Sequence, residues 1–235
     1  MSEQVNNDYF EEIFNNVEVF SEQLPDEIEP TKKKRSITVI QIPNSIIKNK
    51  NISVNAFAVY VYLKCKSFRE RDDKIHLKLD HKEMRVELGM KKDNRPLIAA
   101  FQNLYQNGLI KEEVLKMPIH SPLNITLLKI EHEPFTQLPI ELIGKIPIIK
   151  SYGLKLLYYY ESFINRKQFL RQFAFPCFET IQEDTGLNHN TINKYNKLLV
   201  ENKLLKIDKH KVEQGDFGFE KWNNHYFVLW DKMIN

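Results

Sequence analysis

Residues 185–205 read TGLNHNTINKYNKLLVENKLL, and this stretch decides the fold. Gly186 suits the left-handed turn that ends one helix, and Asn188 is a favoured N-cap for the next helix. Apolar residues then recur at the helical period as far as Asn202. Upstream, residues 178–185 predict the preceding helix. Two helices joined by so short a turn are typical of a helix-turn-helix motif.

The landmarks of this motif occur twice along the chain. The spacing between matching features stays between 95 and 98 residues. A spacing this constant over four separate features indicates tandem duplication of one structural unit. The four pairs are Pro43 and Pro139, Tyr60 and Tyr158, Gly89 and Gly186, and Leu109 and Leu204.

The first half predicts three helices followed by a hairpin. Ser53 and Asp80 are favoured N-caps for the first two helices, and alternating apolar residues before Asp80 indicate a short strand. Pro96 suits the first turn of the third helix. Residues 109–116 and 124–130 then predict the two strands of a hairpin, or wing.

The second half predicts the same order of elements. Its three helices precede two strands, and the wing between those strands is long and carries lysines and aromatic residues. The predicted helices cover residues 151–164, 178–185 and 189–202, the strands 204–208 and 225–230, and the wing 209–224.

These elements predict a mainly α-helical α+β fold of tandem duplicated winged-helix domains, each a helix-turn-helix with a small β-hairpin wing. We expect an acidic N-terminal tail and basic linker over residues 1–36. The first winged-helix domain is then expected over residues 37–133 and the second over residues 134–235.

The net charge of +3 hides a strong asymmetry. Residues 1–30 contain nine Asp or Glu and no Lys or Arg, so the remainder carries 34 basic side chains against 22 acidic ones, a net charge of +12. A basic body suits a polyanionic partner such as nucleic acid or anionic lipid, although a merely soluble protein would also fit. Aromatic residues in the acidic tail leave open a short amphipathic helix that docks on a protein partner.

The chain has two cysteines, Cys65 and Cys177, and no C-x-x-C spacing. This pattern argues against a disulfide framework and a structural zinc site, and it favours a reducing cytosol. No apolar run reaches the roughly 20 residues that a membrane span needs. We therefore expect a cytoplasmic protein without a membrane partner.

Enzyme signatures are missing from the sequence. The seven glycines form neither a P-loop nor a G-x-G-x-x-G turn. The tyrosines 158–160 could in principle nick DNA, but no His-x-His pair is present to hold the metal such chemistry needs. We expect these tyrosines to pack inside their own unit, and we expect no catalysis, metal or cofactor.

The third helix of the second half carries the sharpest candidate site. At 3.6 residues per turn, Asn190, Asn193, Lys194 and Lys197 share the face opposite the apolar stripe. Asparagine can pair with the adenine edge, and lysine can reach guanine or phosphate. We expect this helix to enter the major groove, with His189 at its phosphate-binding N-terminus.

Other candidate DNA contacts are cations and polar residues placed where a winged helix meets the duplex. The equivalent helix of the first half is expected to bury Ile98, Phe101 and Tyr105 and to anchor phosphates more than it reads bases. The remaining candidates are Thr191 in the second reader helix, Lys91, Lys92, Arg95 and Gln102 in the first half, Lys209 and Lys211 in the second wing, and Lys32, Lys33, Lys34 and Arg35 in the linker.

A resemblance joins these observations. The stretch from Phe135 and Thr136 through Lys150 to Tyr158 resembles the strand-then-helix entrance of the second domain of two-winged-helix plasmid replication initiators. More loosely, the chain resembles the replisome-organiser proteins of phages. The resemblance implies repeated origin sequences as targets, and dimers that repress their own promoter.

Three functions follow as expectations. The first is sequence-specific binding of double-stranded DNA for replication initiation on a plasmid or phage. Transcriptional regulation at a promoter or operator is the alternative, and a winged-helix protein-interaction module is another. A homodimer, and a protein partner bound through residues 1–30, stay open.

Overall fold

The computed structural model describes residues 37–69, 76–130, 133–168, 172–212 and 221–234. The acidic tail and the basic run Lys32–Arg35 lie outside these ranges. So do residues 213–220 of the second wing. From Ile37 onward the described chain belongs to one compact unit.

The fold is mixed α+β, with small antiparallel two-stranded sheets among the helices. In the first half the elements are β1 (Val39–Pro43), α1 (Asn44–Ile47), α2 (Val54–Arg69), β2 (His76–Leu79), α3 (His81–Glu87), α4 (Arg95–Gln106) and β3 (Leu123–Thr126). In the second they are β4 (Phe135–Pro139), a 3-10 helix (Ile140–Lys145), α5 (Ile146–Glu161), α6 (Phe178–Thr185), α7 (His189–Glu201), β5 (Leu205–Val212), β6 (Lys221–Val228) and α8 (Asp231–Ile234).

The predicted helix caps are confirmed. The Asp80 carboxylate accepts hydrogen bonds from the backbone N–H groups of Lys82 and Glu83 at the start of α3. The Asn188 side-chain oxygen accepts one from the backbone N–H of Thr191, at 2.9 Å, at the start of α7. Each cap satisfies amide groups that have no partner inside the helix, which fixes where the helix begins.

The left-handed residues recur at the repeat spacing. Gly89 and Gly186, which lie 97 positions apart, have φ values of 60° and 72° and end α3 and α6. Gly108 and Lys203 follow α4 and α7 with φ values of 66° and 57°. The chain therefore leaves matching helices through the same backbone conformation in both halves.

Strands β1 and β4, which begin the two halves, pair with each other. The pairing is antiparallel, with Val39 opposite Pro139 and Pro43 opposite Phe135. Gln41 lies opposite Gln137 at the centre of the ladder. The halves are therefore joined by backbone hydrogen bonds as well as by side chains.

Helices α2 and α5 pack against each other in one continuous apolar core. The Phe57 ring of α2 meets the Tyr158 ring of α5 edge-on, with 5.6 Å between centroids. Tyr158 is fully buried, and its hydroxyl donates to the backbone oxygen of Ile40 in β1. Tyrosines 158–160 are all buried, but the expectation that they pack inside their own unit is wrong for Tyr158, which contacts the first half.

Lys155 of α5 is buried, with 0% of its surface exposed. Its ammonium group donates to the backbone oxygens of Ile52 at 2.7 Å, Asn49 at 3.1 Å and Thr185 at 3.4 Å. Two of these acceptors belong to the first half, and the third ends α6. Lys155 therefore fastens the loop before α2 to the end of α6 through a charge-assisted bond network.

Lys155 makes the stability of the protein depend on pH. Burial lowers the pKa of Lys155 from 10.5 to about 8. Between these values the unfolded chain holds a proton that the folded protein has released, so the stability contributed by this group is lowest below pH 8 and rises with pH through the window. Lys155→Met should remove this dependence.

Urea unfolding of the wild type and Lys155→Met at pH 7 and pH 9.5 checks the prediction. The stability of the wild type relative to the variant should increase by roughly 1–2 kcal/mol at the higher pH. Titration of the tyrosines contributes equally to the free energy of unfolding of both proteins, so it cancels in the difference. A difference that is the same at both pH values would contradict a depressed lysine pKa.

The predicted first wing is corrected by the structure. Residues 109–116 do not form a strand; Ile110 makes a single bridge to Leu127, while β3 pairs with β2. Val114 and Met117, expected in the wing strand and at its tip, are buried. Burial of these two side chains holds this part of the segment against the core, while Leu115 between them is exposed.

The predicted apolar face of α4 is partly wrong. Phe101 is buried as expected, but Tyr105 is 42% exposed and Ile98 lies at the core margin. Leu97 and Leu104 take their places in the core. Residues 98, 101 and 105 and residues 97, 101 and 104 both fit a helical period. Which set is buried depends on how α4 is rotated about its axis against α2.

The second half follows its predicted elements closely, with longer strands. Helices α6 and α7 occupy the predicted ranges, while β5 continues past the predicted end at residue 208 and β6 begins before the predicted start at residue 225 and ends at Val228. Helix α5 is kinked at Lys150, where φ is 61°. The straight part therefore begins at Ser151, the predicted start.

Candidate nucleic-acid interface

Helix α7 is held by a buried apolar side. Ile192 and Leu199 are fully buried, and α7 packs on α5. Between them, the buried Asn196 accepts a hydrogen bond from the Tyr160 hydroxyl at 2.8 Å. This polar contact was not predicted, and it fixes the rotation of α7 because a buried amide must keep its partner.

The opposite side of α7 is open to solvent. Asn190, Asn193, Lys194 and Lys197 are all exposed, which confirms the predicted face. The Asn193 amide nitrogen lies 3.1 Å from Nδ1 of the exposed His189 ring. The face therefore offers amide and ammonium groups that a partner can reach without displacing core contacts.

The N-terminus of α7 is suited to an anion. No acidic residue lies in its first turn, and the His189 ring contacts the Phe178 ring with centroids 4.3 Å apart. Thr191 is half-buried here, with its amide bound by the Asn188 cap. Unpaired helix amides and the helix dipole favour a phosphate at such an end.

Aromatic contacts position Lys194. The Tyr195 ring stacks on the Tyr152 ring of α5, with 4.7 Å between centroids. The Lys194 ammonium lies 5.6 Å from the Tyr195 ring centre. The lysine therefore lies along a ring that is itself fixed to the core.

The turn between α3 and α4 carries exposed Lys91 and Lys92. Arg85 holds this turn by donating to the Lys92 backbone oxygen and to Asn94 Oδ1. The turn is thereby ordered, and its two lysines project from a fixed backbone.

Arg95, the first residue of α4, is 89% exposed but paired. Its guanidinium donates to the Asp93 carboxylate at 2.7 Å, and this hydrogen bond lowers the pKa of Asp93. A phosphate would have to compete with Asp93 for Arg95. Lys91 and Lys92 are exposed and lie outside the ion pair between Asp93 and Arg95, so they do not face this competition.

Gln102 and Asn103 of α4 are less accessible to a binding partner than the sequence indicates. Gln102 is half-buried. The Asn103 side chain accepts from the Ser53 backbone N–H and donates to the Asn51 backbone oxygen, both at 2.9 Å. Asn103 thus supports the start of α2, and it is not available as a base reader.

The second wing places its lysines on a strand. Lys209 is exposed on β5, opposite Asn224 of β6. Lys211 lies two positions further along β5, opposite Trp222. The candidates Lys32, Lys33, Lys34 and Arg35 lie outside the described part of the chain.

Lys50 is an exposed cation beside the turn before α7 that sequence reasoning did not single out. It is exposed and lies against the Gly186 turn of the other half, where a Cβ built on Gly186 would approach the Lys50 backbone oxygen to 3.4 Å. The repeat could have pointed to Lys50. Lys50 and Pro147 are 97 residues apart, as are Gly89 and Gly186, so Lys50 is the first-half counterpart of Pro147.

Comparison with known proteins adds no assignment: no protein-family model matches this sequence, and a search of curated proteins found no significant match. None of the helices described in the structure has both the length and the apolar character needed to cross a membrane. Within the same residues, no group of three or more His, Cys, Asp or Glu side chains could hold a metal ion.

Proposed function

We propose that this protein is a non-catalytic, sequence-specific duplex-DNA-binding protein built from two tandem winged-helix domains. The exposed amide and lysine face of α7 carries the proposal. It follows a left-handed glycine turn and an asparagine cap, so a helix-turn-helix presents it to solvent. Binding of a randomised duplex library by the full chain, followed by footprinting of the selected site, tests it.

Reciprocal contacts support duplication. A Cβ built on Gly89 would lie 2.6 Å from Pro147 Cα, and one built on Gly186 would lie 3.3 Å from Lys50 Cβ. Gly89 and Gly186 are 97 residues apart, as are Lys50 and Pro147. Gly89 lies against Pro147 of the second half, and Gly186 lies against Lys50, the first-half residue that corresponds to Pro147. The two contacts are therefore equivalent under the repeat.

The β1–β4 ladder supports a two-fold relation between the halves. Gln41 and Gln137 correspond under a 96-residue repeat, and they also face each other across the ladder. An antiparallel pair of matching strands has a local two-fold axis at its centre. The two helix-turn-helix motifs would then meet the duplex in opposite senses, α7 as the main base reader and the α3–α4 turn as a phosphate anchor.

The role favoured by the resemblance is replication initiation on a plasmid or phage. An initiator should prefer an array of short tandem repeats, whereas a promoter regulator should prefer one site. Competition between a repeat array and a single copy separates the two roles. An interaction module would not retard either duplex at physiological salt.

The outward face of α7 predicts separable base and phosphate contacts. Asn193→Ala should cost on the order of 1–3 kcal/mol for the selected site and little for unrelated duplexes, because an asparagine amide discriminates base edges. Lys197→Ala should weaken all duplexes alike, since phosphate contact carries no sequence information. Titration of selected and scrambled duplexes measures both effects.

The two variants serve as controls for each other, because both residues are exposed and neither supports the core. Wild-type affinity and specificity in both variants would exclude α7 as the reader.

A further inference from the structure

A row of aromatic rings lies on one face of the β5–β6 sheet. The Phe173 ring stacks on His225 with 4.1 Å between centroids, and His225 stacks on His210 at 5.0 Å. Phe173 also contacts Phe175 and Phe227, at 6.2 Å and 5.4 Å. We call these five residues the ring face.

Three chain segments build the ring face. Strands β5 and β6 pair over their full length, and Ala174 adds a third segment through two backbone hydrogen bonds with Tyr226. Because side chains alternate across a sheet, the buried Tyr226 and Ala174 turn inward and their neighbours turn outward. The sheet thereby brings together rings that are far apart in sequence.

The ends of the row are its most open members. Phe175 is 64% exposed and His210 is exposed, while His225 between them is half-buried. A flat aromatic ligand can therefore extend the row at an end without separating rings that already stack.

The other outward side chains of this face are polar. The Lys206 ammonium lies 5.3 Å from the Phe227 ring centre and 2.6 Å from the Asp208 carboxylate, whose charge it balances. Asn223, opposite His210, lies on the same side of β6. The outward positions 173, 175, 206, 208, 210, 223, 225 and 227 thus carry aromatic or polar side chains.

We propose that the ring face binds single-stranded nucleic acid by stacking unpaired bases on Phe175 and His210. Aromatic rings beside a lysine and an amide on a sheet surface match bases and their backbone. Protein interfaces are also rich in aromatic rings, but they are depleted in lysine, which this face carries in Lys206. The face lies on a basic body, which attracts a polyanion.

This site goes beyond the proposed duplex function and uses different residues. It would let one chain bind duplex DNA through α7 and a separated DNA strand through the β5–β6 sheet. The two activities therefore fail independently, and variants of one surface leave the other as a control.

The test uses the full chain and fluorescein-labelled 20-mers of thymidylate, of uridylate and of an abasic backbone, followed by anisotropy at low salt. The wild type should bind either base-containing strand more tightly than the abasic one. Phe175→Ala should weaken binding to the base-containing strands at least about fivefold, the lower end expected for loss of one stacked base. Phe175→Trp should restore it.

Phe135→Ala is the matched control, because Phe135 is also an exposed strand phenylalanine, at 53%, and lies outside the ring face. It should bind all three strands as the wild type does. Asn193→Ala should keep single-strand binding while losing duplex specificity.

Two results would overturn the proposal. One is equal wild-type affinity for abasic and base-containing strands, which would leave electrostatics alone. The other is unchanged strand binding by Phe175→Ala. If Phe175→Ala kept strand binding but altered the oligomeric state in sedimentation experiments, the ring face would be a surface that binds another protein chain.

Discussion

Gly89→Ala is expected to destabilise the protein by about 2–5 kcal/mol. The residue has a φ of 60°, where an L side chain costs about 1–2 kcal/mol. The new Cβ would also lie 2.6 Å from Pro147 Cα, a backbone atom that cannot rotate away. Overpacking of this kind adds about 1–3 kcal/mol.

Gly108→Ala is the matched control for Gly89→Ala. Gly108 has a φ of 66°, but nothing lies within 4 Å of its added Cβ, so this variant should show the conformational cost alone. Gly186→Ala, whose nearest neighbour is at 3.3 Å, should fall between the two. Urea unfolding of the three variants measures the series. Equal losses at Gly89 and Gly108 would mean that the two halves are not in close contact at Pro147.

Affinity for the selected duplex is expected to fall about 10³–10⁵-fold between 50 and 200 mM salt. This range applies if both halves together neutralise roughly six to ten phosphates. The basic body, which carries a net charge of +12, supplies the cations, and the turn lysines Lys91 and Lys92 lie far along the chain from Lys194 and Lys197. Affinity measured over a salt series gives the slope.

Double variants show whether both halves take part. Lys91→Ala/Lys92→Ala and Lys194→Ala/Lys197→Ala should each lower the salt slope by about two, since each lost phosphate contact removes about 0.9. Lys232→Ala on α8, outside the proposed interface, should leave it unchanged. If only Lys194→Ala/Lys197→Ala altered the salt slope, phosphate contact by both halves would be ruled out.

Local signals in the sequence were enough to predict the helices and the exposed face of α7. Asp80, Asn188 and Gly186 act on the backbone within a few residues, so their effects can be read from sequence alone. The Asn193 and Lys197 side chains are exposed as predicted, because one apolar stripe defines the opposite side of the helix.

What the sequence did not reveal depends on distant partners. Lys155 is buried because carbonyl groups from residues 49, 52 and 185 surround it, and Asn196 is buried because Tyr160 reaches it. Asn103 is bound to the loop before α2, 50 and 52 positions away. No local pattern indicates such pairs, since their members lie far apart in sequence.

The β1–β4 ladder also sets a delay during synthesis. Val39 and Phe135, the first residues of the two strands, are 96 positions apart. At roughly 5–20 residues per second, the ribosome completes β4 about 5–20 seconds after β1. Throughout that interval β1 is a strand without its native neighbour, the state in which strands of different chains pair. Translation speed across the first half therefore governs how long each nascent chain is exposed to mispairing.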